Sequence, residues 1–251
     1  MTSGLGLLDE TWFLTLMLTY LRVQGFLIAL PAFSERLLPA RLRIGLAMAL
    51  TPLFIDQFTI AFDDGSPAAL ALVAAGEVLT GVILGIFVRI MSLALDVAAS
   101  AIAMTASLSQ IMGVANDASP HPIGNLLHLA GLALLMTLGF PIVVCQLLAD
   151  SFELRRIGEW PDITRLLPAL IGIVSASFEL AMLLAAPFIL GGLLFQTLSG
   201  VISKAMPALP IVFIGAPAAI LLALVALAIL APVILSIWAD QLMMFDPMRV
   251  R

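Results

Sequence analysis

The chain has 251 residues, of which 62% are hydrophobic and 11% charged, and its mean hydropathy is +1.17. A soluble domain averages roughly 45–50% apolar and about 25% charged residues, and even one of about 300 residues buries only ~75% of its unfolded surface, so composition excludes a water-soluble fold. The net charge of −5, with no basic stripe to neutralise phosphates, argues against nucleic acid as a partner.

Apolar stretches of about 20 residues are long enough to cross a ~30 Å hydrocarbon core as helices. Taken in chain order, such stretches run over Trp12–Leu30, Ile44–Phe62, Ala68–Val88, Ile90–Met112, Leu126–Ala149, Leu166–Ser203 and Ile211–Trp238. Their length favours helices over barrel strands, which alternate over only about 10 residues. The fold class is therefore all-α and polytopic, a single integral membrane domain over residues 1–251. The region before Trp12 carries Asp9 and Glu10 and no basic residue, the reverse of a signal-peptide start, so the first apolar segment is expected to remain as an anchor.

The connections carry the topology signals. Arg36, Arg41 and Arg43 mark the first loop as cytoplasmic, the acidic Asp56–Pro67 loop lies outside, and Arg155 and Arg156 mark another inner loop. Seven crossings satisfy these signs, with Arg89 either marking a loop or lying within one long helix. The stretch Leu166–Ser203 would reach roughly 57 Å as a straight helix. Pro187 with Gly191 and Gly192 predicts a kink or break near its middle, and Pro207 and Pro210 bracket a second break. Irregular backbone at membrane depth is tolerated where protein covers it or where it lines a cavity.

Charges inside apolar segments cost at least ~2.5–3.5 kcal/mol at a helix centre unless paired. The candidates are Arg22, Glu77, Arg89, Asp96 and Glu179. Arg89 and Asp96 share a face of a continuous helix, and Glu77 and Arg89 are near enough in sequence to pair. Such charges serve either an ion pathway or bundle-interior ion pairs. Gly81 and Gly85 form a GxxxG pattern suited to close helix approach. Cys145, the one cysteine, reads as a small buried hydrophobe. His121 and His128 lack the companions a zinc site requires. No nucleotide-binding loop or nucleophile elbow occurs, so neither an enzyme nor a cofactor or metal is expected. The loop Gly113–Pro122 joins two apolar helices yet holds Asn116, Asp117, Ser119 and two prolines. It serves either as an external turn or as a semi-rigid closure in an aqueous path.

Four passages in order resemble the FliR family of flagellar and virulence-secretion export proteins: PAFSERLLPARLRIGLAMALT (Pro31–Thr51), the stretch from Gly85 through Asp96 to Pro122, Asp150-Ser151-Phe152, and PFILGGLLFQTLSGVISKAMPALPIVFIGAP (Pro187–Pro217). One departure is PALP ending at Pro210, where family members usually carry a polar PQLN-like run. The resemblance implies a subunit of a type III protein-export gate, assembled with FliP and FliQ homologues, joined by an FlhB homologue, in the bacterial inner membrane at the flagellar basal body. Unfolded exported proteins pass through its channel. The fold it implies is one of long, kinked helical hairpins that pack largely against other subunits rather than each crossing lipid. It also implies that the segment Gln110–His121 plugs the channel, with Gln110, Ile111, Met112, Gly113, Val114, Ala115, Asn116 and Asp117 at the closure. The alternatives are a gate subunit of a virulence type III secretion system and an ion-coupled transporter using Glu77, Asp96 or Glu179, the latter one that inverted repeats would favour. No such repeat is present.

Overall fold

The computed structural model describes residues 10–31, 39–57, 66–106, 122–206 and 211–245. Every regular element among them is helical: α1 (Glu10–Ala29), α2 (Ala40–Leu50) with a 3-10 turn at Thr51–Gln57, α3 (Pro67–Ala106), α4 (Pro122–Thr137), α5 (Phe140–Leu154), α6 (Ile163–Ala205) and α7 (Ile211–Met243). Backbone groups facing apolar surroundings must bond within their own segment, and the helix is the local solution.

Four helices are long and apolar enough to cross a membrane, or five if the broken pair α4–α5 forms one span. Seven segments were expected, and the difference has three local causes. The two segments on either side of Arg89 are one 40-residue helix, α3, because an arginine retains its backbone N–H and has good helix propensity. The second segment shrinks to α2, of 11 residues, before the 3-10 turn. The fifth divides at Leu138–Gly139, where Gly139 takes φ +89° and Pro141 sits in the first turn of α5. That left-handed angle favours glycine, and proline suits a helix start.

Of the kink or break expected near the middle of α6, no break occurs. The helix runs unbroken for 43 residues through Pro187, Gly191 and Gly192. A proline removes one hydrogen bond, whereas leaving the helix in apolar surroundings would strand many. Pro217 and Pro232 likewise lie inside continuous α7. Pro207 and Pro210 lie outside the described residues.

The chain forms two compact units. The first holds α1, α2, the 3-10 turn, α5, the following loop, the N-terminal part of α3 to Met91 and that of α6 to Val174. Its α1–α3 contact depends on missing side chains. A Cβ on Gly25 would meet the Val78 carbonyl oxygen at 2.6 Å, and one on Gly85 would meet the Phe26 oxygen at 2.6 Å. A Cβ on Gly81 would run into the Arg22 carbonyl oxygen and stand 2.8 Å from the Phe26 nitrogen. The GxxxG pair therefore lies directly on the α1 backbone, the close approach that small residues permit in apolar packing.

The second unit holds the rest of α3 from Ser92, α4, the rest of α6 from Ser175, and α7. Trp238 on α7 is buried and donates its indole N–H to the Ser92 carbonyl at 3.2 Å. Gly131 of α4 faces both Leu95 and the Trp238 ring. An indole buried with its N–H satisfied supplies apolar area without an unpaired donor.

Candidate functional site

Within the first unit, Arg22 and Glu77 are both fully buried and form an ion pair, Nε to Oε2, at 2.6 Å. The glycine contacts bring this about, since Arg22 lies on the stretch of α1 against which Gly81 packs, one helical turn from Glu77. Arg22 also donates through Nη1 to the carbonyls of Ser151 (3.0 Å) and Arg155 (3.1 Å) at the C-terminal end of α5. Those carbonyls carry the negative pole of the helix dipole, so a cation there is favoured. The guanidinium lies over the Phe152 ring, 4.2 Å from its centroid, and Phe152 stacks on Phe54 of the 3-10 turn at 5.8 Å.

Glu77 has further donors. Its Oε1 accepts from Arg155 Nη2 at 3.3 Å and from the Gly158 backbone N–H at 3.0 Å. Gly158 has φ +98°, a left-handed turn that aims its N–H at the carboxylate. Arg155 reaches the Gly76 carbonyl as well, at 3.4 Å, and the Trp160 ring covers Gly76. One carboxylate thus draws together α1, α3, the end of α5 and the loop leading into α6.

The balance of charge is uneven. Two guanidiniums meet one buried carboxylate, leaving an excess positive charge shared among carbonyl dipoles and the Phe152 face. Arg155 shows the strain: burial first, then repulsion from Arg22, lower its pKa to about 10 despite the attraction of Glu77 and Glu159. It stays protonated at neutral pH. Arg22 Nη2 and Arg155 Nε and Nη1 lack a hydrogen-bond partner among the described residues. Such a cluster fixes geometry more than it adds net stability, since desolvation consumes most of the Coulomb gain.

The second unit contains a different pair, His128 Nδ1 and Asp96 Oδ1 at 2.7 Å, both partly exposed. Of the residues singled out in the sequence, Arg22 and Glu77 meet each other, Asp96 meets His128, and neither Arg89 nor Glu179 belongs to the cluster. Arg89 and Glu179 are exposed, and Glu179 has no hydrogen bond or ion pair among the described residues. Cys145 is half-buried. Gln110, Ile111, Met112, Gly113, Val114, Ala115, Asn116, Asp117 and His121 lie outside the described residues. Sequence reasoning missed Arg155, Ser151 and Gly158 as partners of the pair. The double arginine at 155–156 served only as a topology mark, though a base immediately after a helix end is also a signal for capping.

Residues 13–245 match the family model described as bacterial export proteins, family 1. The chain is 26% identical over 228 residues to the flagellar biosynthetic protein FliR of Caulobacter vibrioides, covering 89% of this chain and 91% of that protein. It is 26% identical over 229 residues to FliR of Aquifex aeolicus (90% and 88% covered) and 28% identical over 232 residues to FliR of Escherichia coli (90% and 88%).

Proposed function

The chain belongs to family 1 of the bacterial export proteins, and from that premise we propose that it is a structural subunit of the flagellar type III protein-export gate. The observation that carries this is the extent of the match. The family model runs across nearly all of α1 through α7, and the FliR relatives agree with the chain in length as well as in sequence.

Exposed apolar surface supports an assembly. Within an apolar 18-residue window of α6 only 28% of the residues are buried in the chain, and within one of α7 only 11%. At 1.5 Å per residue α6 measures about 64 Å, more than twice a ~30 Å hydrocarbon core. Exposed apolar side chains continue along it from Ile163 to Ile202. Lipid around an upright helix would leave about half of that length uncovered. Other apolar helices would cover it, and in this proposal they belong to FliP and FliQ homologues, with an FlhB homologue beside them. The site is the inner membrane at the flagellar basal body, the chain is multi-pass, and the cargo is unfolded flagellar protein.

The segment Gln110–His121 is proposed as the plug of the channel, with Met112 as a deformable seal, because a thioether side chain adapts to irregular gaps. The Arg22–Glu77–Arg155 cluster has a static role here, holding three helices and a loop in one arrangement. The test uses a strain lacking this gene. Restoring the full chain should restore secretion of flagellar protein into the medium. Restoring a chain without residues Gly113–Ser119 should give an assembled gate that leaks small ions. Secretion that persists without the gene would overturn the gate proposal, whereas an assembled and ion-tight deletion gate would overturn the plug alone.

A further inference from the structure

Glu179 lies on α6 with no charged residue of its own helix nearer than Arg165 and Lys204, about 21 and 38 Å away along the axis. It is exposed, as are Ser175, Ala176, Met182 and Leu183 at helical spacing around it, and Phe178 beside it is 62% exposed. Among the described residues, then, the carboxylate stands unpaired in the middle of an apolar surface. An ionisable group on an apolar span faces a protein partner or water-filled space far more often than lipid, and it is paired there. Ser175 and Ala176, one turn away, are small enough to let a second helix come near, and a serine hydroxyl bonds across such contacts.

We propose that Glu179 docks a helix of a different gate subunit, one that carries an arginine or lysine at the same depth. Four occupants compete for this face. Lipid chains offer the carboxylate nothing, and a water-filled space would leave the exposed Phe178, Met182 and Leu183 in water. A second copy meeting this face through two-fold symmetry would bring two carboxylates onto one patch. A cationic residue on an otherwise apolar helix satisfies both the charge and the apolar surround. The contact also supplies specificity, since like charge at that position repels the wrong neighbour. This inference rests on the gate proposal and adds the chemistry of one of its interfaces.

The test uses the full set of gate genes with a tagged version of this chain. Glu179→Lys should reduce the assembled complex on a native gel by about tenfold or more, as expected for a like-charge contact, at an unchanged amount of the chain in the membrane. Glu179→Gln, which keeps hydrogen bonding, should lose less. In the chain with native Glu179, a photo-reactive benzoylphenylalanine in place of Leu183 should cross-link to a different polypeptide, and reversing one basic residue of that polypeptide to glutamate should rescue Glu179→Lys. Assembly of Glu179→Lys at the unmutated level, or cross-links from position 183 only to lipid or to a second copy, would overturn the pairing. Should Glu179→Lys fail to accumulate, the cross-link in the native-Glu179 chain decides by itself. If the unmutated chain enters no complex, the gate proposal falls, and the pairing with it; if it assembles and Glu179→Lys assembles equally, only the pairing falls.

Discussion

Replacing Glu77 with leucine is expected to lower the stability of the isolated chain by about 3–5 kcal/mol, the usual cost of stranding a buried charge. The substitution leaves Arg22, fully buried, with only carbonyls and a ring face, and it removes the ion pair of Arg155. It also frees the Gly158 N–H, so the loop into α6 loses its tether. Arg22→Met should cost less, because Glu77 then keeps Arg155 and Gly158 as partners. The double variant Arg22→Met, Glu77→Leu should recover part of the Glu77→Leu loss, since removing both partners of a buried pair is milder than removing one. Thermal unfolding midpoints of the three variants in one detergent check the order. A double variant less stable than Glu77→Leu would show that the cluster does not behave as a coupled pair.

Gly81→Ala is expected to destabilise by about 1–3 kcal/mol, the range for forcing extra volume into a packed interior. The added methyl would meet backbone atoms of Arg22 and Phe26 rather than the end of a flexible side chain, so one of the helices must move. Because one of the contacted residues is Arg22, that displacement also disturbs the ion pair, and the effects of Gly81→Ala and Glu77→Leu should be non-additive. Gly191→Ala is the internal control. Nothing lies within 4 Å of a Cβ built there, and alanine favours a helix interior by roughly 0.5–1 kcal/mol over glycine. The same detergent melt reads both, and a Gly81→Ala melt matching that of Gly191→Ala would remove close backbone approach as the basis of α1–α3 packing.

The helical, membrane-type fold was legible from apolar run length alone, because hydrocarbon leaves the backbone few choices. The number of long apolar helices was less so. Arg89 left two readings open, a loop or a position within one long helix, and the helix propensity of arginine lets α3 continue through it. Gly139 had no charge beside it and escaped notice, although its left-handed angle ends α4. Pro187 pointed to a kink or a break, and the helix does not break there, because one lost hydrogen bond is cheaper than a disrupted helix without water.

For the candidate site, Glu77 and Arg22 stood out because each charge is costly where it sits. Their relation to Arg155 was not legible, since the residues are 78 and 133 positions apart and meet only once the end of α5 packs against α1 and α3. His128 showed no companion in the sequence for the same reason, its partner Asp96 lying 32 positions away on a different helix. The glycine pattern at 81 and 85 was visible in sequence, but which helix it meets depends on tertiary packing.

The most direct measurement of the central claim is the composition of what this chain purifies with from membranes under mild detergent. We expect one large assembly, in which a tag on this chain recovers FliP-, FliQ- and FlhB-like polypeptides at fixed ratios. Recovery of a folded, monodisperse single chain, with those polypeptides present in the same membranes but absent from the eluate, would contradict the account.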